Sequence, residues 1–305
     1  MYLYGKLVTM TPHVIFKEEN HKYEFPNHPE RVAISGTKFV GYFQEEFDRE
    51  FWLTVKACQK VLPDYKQLEH KWTTEFELPK RDPLYIEFLL GHADIEDVMY
   101  ESELLGQQWD DKGKKTSEMG TREHLNKELE SYDRGWEINK MDGKKYKVHQ
   151  KKAILGCDNY SLADNLSELE DGYYPELLVF WEDLVGQADR AFIGTDKWGR
   201  YIDISDYKFF EKLSKRGFYD KHTRKYQMFK SPIDHIEDCK LNKTALQIST
   251  YLWCLEKHGL QVRYASFIHC QPGKETVIKL PYLKAEVEAM YKAYPWPQLK
   301  TKQYV

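Results

Sequence analysis

Cysteines are few in this sequence, and they are widely spaced. Their number is odd and no two of them form a Cys-x-x-Cys pair; they are Cys58, Cys157, Cys239, Cys254 and Cys270. A disulfide framework or a zinc ribbon requires closer, paired spacing. Reduced thiols in a cytoplasmic protein are therefore expected, and no iron–sulfur cluster is expected.

Long apolar runs are also lacking. No segment approaches 18 consecutive apolar residues, which excludes a predicted transmembrane helix, and the first nine residues do not resemble a signal peptide. Repeats and low-complexity tracts are absent as well. Hydrophobic residues make up 41% of the 305 residues and aromatic residues 15%, which argues against a disordered chain. The length suits one large domain or two domains.

An excess of positive charge is the third absence. Lys and Arg number 45 against 49 Asp and Glu, which gives a formal net charge of −4. Bulk charge therefore does not favour coating of nucleic acid, although a local basic groove is compatible with this balance.

Hydrophobic periodicity predicts a mostly helical first third of the chain. The predicted elements are two short strands over Val14–Phe25, a helix or helix pair over Thr37–Leu62, a loop over Pro63–Pro83, and helices over Leu84–Gln108 and Thr116–Arg134.

The rest of the chain predicts an α/β arrangement on one mixed sheet. The predicted elements are a hairpin over Glu137–Val148 with Asp142-Gly143 at its turn, a short helix over Ser161–Glu170, strands over Pro175–Glu182, Val185–Ile193 and Arg200–Phe210, a helix over Lys243–His258 capped by Asn242 and Gly259, strands over Leu260–His269 and Thr276–Leu280, and a helix over Leu283–Tyr294. Residues 1–110 are thus interpreted as N-terminal strands with a helical region, and residues 111–305 as the core.

Two charged residues lie at the end of an otherwise apolar face of one predicted strand. Strand alternation puts Asp206 and Lys208 on the same face as Ile202 and Ile204. Burying a carboxylate and an ammonium side by side is costly unless they share a ligand or a partner. Asp189 lies in the preceding apolar strand, and a turn at residues 196–199 would bring it close to Asp206.

A helix contributes a third group of metal-capable side chains. His124 and Glu128 are four residues apart and therefore share a helix face, while Leu125 and Leu129 are expected to point toward the core. Carboxylates with an imidazole and a backbone carbonyl suit Mg²⁺ or Mn²⁺ better than zinc. Each motif alone is more often structural, as an edge ion pair, a turn cap or a helix-face histidine.

In combination these motifs resemble the PD-(D/E)XK nuclease superfamily and, within it, the RecB-like branch that includes phage exonucleases and the mitochondrial genome maintenance exonuclease. The matching positions, in chain order, are Ser35-Gly36-Thr37 before a helix, Gly120, Thr121, His124 and Glu128 on a helix, Glu176 on a strand, Gly186 and Asp189, Asp206 and Lys208, and Gln247 with Tyr251. Asp206 replaces the commoner Glu, as is usual in this branch.

The resemblance implies a restriction-endonuclease-like core, a central mixed β-sheet flanked by helices, with a mostly helical N-terminal addition. It implies that one or two Mg²⁺ or Mn²⁺ ions bind to His124, Asp189, Asp206 and the carbonyl of Tyr207. Lys208 would act on the attacking water or the scissile phosphate. The resemblance implies supporting roles for Glu128, Glu176, Gln247 and Tyr251.

Basic residues interleaved with aromatic ones follow the predicted active strand and suit a single-stranded nucleic acid, although a solvated surface is the simpler alternative. The candidate nucleic-acid-binding residues are Lys212, Lys215, Arg216, Arg224 and Lys225, Lys144 and Lys145 on the hairpin, and Thr37 and Thr121 in the family motifs.

The resemblance implies a metal-dependent deoxyribonuclease, an exonuclease on DNA ends or single strands in phage-type replication, recombination or repair. DNA is the expected partner, with recombination or replication proteins as further candidates. The location would be the host cytoplasm for a phage-encoded protein. The alternatives are a structure-specific or flap endonuclease on the same core, and a DNA-binding module that does not cleave.

Overall fold

The structure is a computed structural model that describes residues 14–17, 22–139, 141–149, 169–220 and 223–297. Most of the predicted helix over Ser161–Glu170 lies outside the described residues. The described helices are α1 (Gly36–Tyr42), α2 (Arg49–Val61), α3 (Tyr65–Glu75), α4 (Leu84–Leu90), α5 (Ile95–Arg134), α6 (Lys240–Lys257) and α7 (Lys284–Ala293).

The described strands fall into one larger sheet and three hairpins. They are β1 (Ile15–Lys17), β2 (Lys22–Glu24), β3 (Ile34–Ser35), β4 (Trp136–Ile138), β5 (Lys145–Lys147), β6 (Gly172–Trp181), β7 (Leu184–Asp196), β8 (Gly199–Lys208), β9 (Tyr219–Asp220), β10 (Lys225–Tyr226), β11 (Gln261–Gln271) and β12 (Lys274–Lys279). The hairpins are β1–β2, β4–β5 and β9–β10.

The larger sheet is mixed. Strands β6, β7 and β8 form an antiparallel meander, β11 pairs parallel to β8, and β12 pairs antiparallel to β11. The short β3 runs parallel to the beginning of β7. This arrangement confirms the predicted α/β class with a central mixed sheet and flanking helices.

One face of the sheet is closed by α6. Ile202 and Ile204 of β8 pack with Ala245, Ile248 and Leu252 of the helix, all of them buried. The apolar residues of α6 recur at helical spacing, so burial of this face drives the helix onto the sheet. The same alternation that buries Ile202 and Ile204 carries Asp206 and Lys208 to the end of this face.

The chain divides into two compact units that interleave in sequence. The sheet unit comprises Met1–Gln44, His124–Arg216 and Met228–Val305; the helical unit comprises Glu45–Glu123 and Gly217–Gln227. The predicted division at residue 110 does not coincide with these units. The described residues up to Gln44 belong with the sheet unit, because β3 pairs with β7 and α1 packs on the same core.

The prediction of a loop over Pro63–Pro83 is wrong, because this segment contains α3. Tyr65, Leu68 and Trp72 recur at helical spacing and are buried in the core of the helical unit. They pack with Tyr85 and Leu89 of α4. The polar residues between them, which suggested a loop, occupy the outer face of an amphipathic helix.

Two further expectations fail in the helices. The segments predicted to be separate helices up to Gln108 and from Thr116 are joined in α5, a single helix of 40 residues. Leu125 and Leu129 are 51% and 50% exposed, so they do not point toward the core. Helical spacing alone does not reveal which stripe of a long helix has a packing partner.

The beginning of α6 is capped differently from the prediction. Asn242 lies inside the helix and donates from Nδ2 to the carbonyl of Glu237. The hydroxyl of Ser214 instead accepts from the N–H of Lys240, and the carbonyl of Ser214 accepts from Leu241. A residue remote in sequence therefore satisfies the first N–H groups. Gly259, with φ +91°, follows the end of the helix as predicted.

Candidate metal and phosphodiester site

The hairpin of β7 and β8 brings the two predicted aspartates together. The strands pair through Arg190 and Ser205 and turn at residues 196–199. One step further along this antiparallel register, Asp189 lies opposite Asp206. The structure thus confirms the predicted juxtaposition, which follows from a short turn between two strands.

Lys208 and Asp206 form a buried ion pair on this face. The ammonium of Lys208 contacts Oδ2 of Asp206, although the two atoms do not satisfy hydrogen-bond geometry. Asp189 is held from the backbone, because the N–H of Tyr207 donates to its Oδ2 at 2.7 Å. Adjacent residues of β8 therefore provide a side-chain carboxylate, a backbone donor and an ammonium.

Glu176 and His124 complete a group of ligand-type atoms around Asp189. The flanking pairs Pro175–Arg190 and Leu177–Ala188 place Glu176 opposite Asp189 on β6. Nδ1 of His124 lies 3.1 Å from Asp189 Oδ2. One ligand atom from each of these three side chains lies within 4.8 Å of the others. Glu176 also has φ +51°, a left-handed conformation that is unusual for a non-glycine residue in a strand.

The electrostatics of the group reflect crowded carboxylates. Burial, and then the charge of Asp189, raises the pKa of Asp206 to about 6 despite the opposing effect of Lys208. Burial alone would raise the pKa of Asp189, but His124 and Lys208 lower it below its ordinary value. Burial alone would lower the pKa of Lys208, yet Asp206 and Asp189 raise it, so the amine remains an ammonium.

Helix α6 contributes the predicted Gln247 and Tyr251 pair. Nε2 of Gln247 donates to the hydroxyl of Tyr251 at 2.9 Å. The Tyr251 ring packs against the backbone of two glycines: a Cβ on Gly186 would lie 2.2 Å from its Cε1, and a Cβ on Gly36 2.6 Å. Two of the three motif glycines are thereby explained by the close approach of one aromatic ring, whereas a Cβ on Gly120 would meet nothing within 4 Å.

Tyr23 is a neighbour of the site that the sequence reasoning missed. It lies on β2 and packs on Phe16 with ring centroids 4.8 Å apart. Burial raises its pKa well above the ordinary value, and the charges of Tyr251, Glu176 and Asp189 add to that effect. No local motif marks this tyrosine, because only the folding of the β1–β2 hairpin brings it near the carboxylates.

Other predicted residues are not among the three groups, His124, Glu176 and Asp189, whose ligand atoms come together. Glu128 accepts a hydrogen bond from the hydroxyl of Tyr132 at 3.1 Å, one turn further along α5. Thr37 is exposed on the first turn of α1, and Thr121 is exposed on the part of α5 that belongs to the helical unit. Their predicted roles in binding nucleic acid stay predictions.

The predicted basic residues are exposed and divide between the two units. Lys212, Lys215 and Arg216 follow β8 in the sheet unit, where Arg216 pairs with Glu237 at 2.8 Å. Lys144 and Lys145 lie at the β4–β5 turn, with the ammonium of Lys145 3.6 Å from the Trp136 ring centroid. Arg224 and Lys225 lie on the β9–β10 hairpin of the helical unit.

The donor set of the sheet unit fits a divalent cation. Glu176, Asp189 and Asp206 supply carboxylates against one ammonium, that of Lys208, which contacts the buried Oδ2 of Asp206. Oxygen-rich groups with one imidazole suit Mg²⁺ or Mn²⁺. The described cysteines are free thiols, namely Cys58, Cys239, Cys254 and Cys270. Among the described helices, none combines the length and apolar character needed to cross a membrane.

Comparisons with known proteins find no match for this chain. No protein-family model matches the sequence, and no curated protein or solved structure matches it significantly. The geometry of the sheet unit is therefore the basis for assigning a function.

Proposed function

We propose that the chain is a metal-dependent deoxyribonuclease of the PD-(D/E)XK type, an exonuclease that acts on DNA ends or single strands. The observation that carries this proposal is the meeting of Asp189, Asp206 and Lys208 on two antiparallel strands, with His124 beside Asp189. The order of helix, three-stranded meander, helix and parallel strand supports the same assignment.

A divalent cation held by His124, Glu176 and Asp189, with Asp206 and the Tyr207 carbonyl beside it, would activate water and neutralise charge on the phosphodiester. The residues of the chain have separate tasks. Lys208, kept as an ammonium, stabilises the negative charge that develops on the phosphoryl oxygens. Asp206 orients that ammonium, and the Tyr207 N–H fixes the Asp189 carboxylate.

The remaining groups would lie beside the bound DNA strand. Tyr251, held by Gln247 and by the two glycines, lies within electrostatic reach of Asp206 and Asp189. Lys212 and Lys215 follow directly on β8 and supply exposed cations for phosphates of the same strand. Because these contacts are electrostatic, binding should weaken as salt concentration rises.

Digestion of end-labelled DNA tests the proposal. Single- and double-stranded oligonucleotides, labelled at each end in turn, are incubated with Mg²⁺ or with a chelator. Release of label only with the metal is expected. Lys208→Ala and Asp206→Asn should each slow cleavage by at least about a hundredfold, because each removes a group that acts on the reacting phosphate. Binding of DNA by Lys208→Ala should be largely retained.

Lys274→Ala is the matched control, since Lys274 is exposed at the β11–β12 turn and is remote in sequence from the site residues. This variant should cleave DNA at the wild-type rate. Full activity of Lys208→Ala would contradict the proposal. Cleavage of covalently closed circles would favour an endonuclease instead. Metal-independent binding without cleavage of linear, single-stranded or flapped DNA would favour a module that only binds.

A further inference from the structure

The sheet unit contains a cavity on the face of the sheet opposite Asp206. Its volume is about 390 Å³, within the range of about 300–1,000 Å³ that small-molecule sites occupy. Its walls come from the end of α5, the β4–β5 hairpin and strands β6, β7, β8, β11 and β12. Five of the nineteen lining residues are aromatic, namely Trp136, Tyr173, Phe192, Tyr207 and Tyr264.

Two serines form the floor of the cavity. Ser205 and Ser266 are register partners on β8 and β11, and both are buried. Their hydroxyl oxygens lie 2.7 Å apart, and either can be the donor. Two hydroxyls that share one hydrogen bond retain a second O–H hydrogen and further lone pairs. The small side chains therefore leave space above the sheet and present both a donor and acceptors to it.

The charges around the cavity are paired. Arg190 binds Glu137, with Nε 2.7 Å from Oε2, and Arg263 binds Asp203 through two nitrogens. Lys127 lies between two acids of the same rim, 3.1 Å from Glu130 and 3.0 Å from Glu275. Arg134 also contacts Glu137. The lining holds three cations and four carboxylates, and Arg263 outside the lining pairs with Asp203, so the cavity has no surplus positive charge to attract a phosphate.

A polar amide completes the lining. The side-chain oxygen of buried Asn139 accepts from the N–H of Met141 at 2.8 Å, so its NH₂ group carries the donors that it offers a ligand. Aromatic faces, a neutral balance of charge, and donors beside acceptors are the complement of an uncharged planar heterocycle with a polar edge. A nucleobase has this chemistry, and aromatic rings are its usual stacking partners.

We propose that this cavity binds a nucleobase. Where the base belongs to the substrate strand, the inference rests on the proposed nuclease function; a free nucleoside is the other source of the same chemistry. Tyr207 connects the two sites, since its ring lines the cavity while its neighbours Asp206 and Lys208 project from the opposite face of β8. The cavity and the candidate site thus lie on opposite faces of the same segment of β8.

Calorimetric titration of the full chain with nucleosides is the first test. Adenosine, guanosine, cytidine and thymidine are compared with ribose 5-phosphate, which carries the phosphate without the base. Saturable binding of at least one nucleoside, and none of ribose 5-phosphate, is expected. Trp136→Ala should weaken nucleoside binding by about 5- to 150-fold, the range found when a stacking aromatic is removed.

Trp198→Ala is the matched control, because Trp198 is an exposed tryptophan outside the cavity lining and, like Trp136, has a lysine over its ring. Thermal melting of both variants shows whether they remain folded. Ser205→Thr adds a methyl group to the floor, keeps the hydroxyl, and should also weaken nucleoside binding. Absence of binding for all four nucleosides, or equal binding by the wild-type chain and Trp136→Ala, overturns the proposal.

Oligonucleotides distinguish the two sources of the base. The substrates are DNA strands that each lack one base, at a different position in each strand. If the cavity takes a base of the DNA strand, loss of the base at one position should raise KM for the wild-type chain but not for Trp136→Ala. Equal KM at every abasic position, with nucleoside binding retained, assigns the cavity to a free nucleoside. Lys208→Ala should still bind nucleosides, so a failure of the nuclease proposal is separable from a failure of this one.

Discussion

The two faces of the β7–β8 hairpin bury charge in opposite ways. On the face toward α6, Glu176, Asp189 and Asp206 share one lysine and one histidine. On the other face, carboxylates are paired with cations, as Glu137 is with Arg190 and Asp203 with Arg263, while Lys127 contacts both Glu130 and Glu275. Asp203 and Asp206 are three residues apart on one strand, yet they belong to these different environments.

The difference separates a structural use of charge from a functional one. A matched pair in the interior needs nothing further, although removing one partner leaves an uncompensated charge. A group with surplus carboxylate is stable only where protonation or a bound cation relieves the repulsion. Burial raises the pKa of both Asp206 and Asp203; at Asp206 the next cause is the charge of Asp189, which raises the pKa further, whereas at Asp203 it is Arg263, which opposes the rise.

Breaking the pair of Arg190 and Glu137 should have the largest effect on stability. Arg190→Met leaves the buried Glu137 carboxylate with Ser131 as its nearest neutral donor, at 2.5 Å, and with the half-exposed Arg134, 3.3 Å away, as its remaining cation. The expected loss in the free energy of unfolding is about 3–5 kcal/mol, measured by urea denaturation. The double variant Arg190→Met/Glu137→Leu should recover most of that loss. Equal stability of the single and double variants would contradict the matched-pair interpretation.

The pH dependence of that loss gives a second readout of the same pair. Burial alone would raise the pKa of Glu137, but Arg190, Ser131 and Arg134 lower it below its ordinary value. Its charged form therefore stabilises the fold above the pKa of the unfolded chain, and this contribution disappears as the pH falls through the folded-state pKa. The difference between the wild-type chain and Arg190→Met should accordingly shrink in acid.

Neutralising Asp206 and neutralising Asp203 should have different effects on the melting temperature. Asp206→Asn relieves the crowding with Asp189, so it should raise or preserve the melting temperature in a chelator. Asp203→Asn removes the partner of Arg263 and should lower it. Mg²⁺ at 100 times its Kd should stabilise the wild-type chain by about 2.7 kcal/mol.

Asp203→Asn should keep that response to Mg²⁺, whereas Asp206→Asn should lose part of it. Differential scanning calorimetry with and without the metal makes the measurement. An identical Mg²⁺ response in the wild-type chain and both variants would remove the distinction between the two faces.

Gly186→Ala should have the smallest but most localised effect. The added methyl group would overlap the Tyr251 ring, and overpacking of this kind costs about 1–3 kcal/mol. Gly113→Ala is the matched control, since no atom lies within 4 Å of a Cβ there and the substitution in a helix should stabilise by about 0.5–1 kcal/mol. Chemical denaturation compares the two; equal stability of Gly186→Ala and the wild-type chain would contradict the packing role of Gly186.

The parts of the site that the sequence predicted are those fixed by local rules. The register of Asp189 with Asp206 follows from a short turn between alternating strands, and the Gln247–Tyr251 contact follows from helical spacing. Tyr23 and the packing of Tyr251 on Gly36 depend on segments remote in sequence, and no local pattern reports them. The exposure of Leu125 and Leu129 likewise depends on what packs against α5, which periodicity does not contain.

Tyr207 gives the two faces of β8 a common residue. Its backbone N–H holds Asp189, and its ring lines the cavity on the other side of the sheet. If a ligand in the cavity shifts the backbone of Tyr207 through this ring, it also shifts the Asp189 carboxylate that the N–H binds. Thermodynamic linkage requires the influence to be mutual: whatever factor the occupant of the cavity applies to metal affinity, the metal applies to the affinity of that occupant.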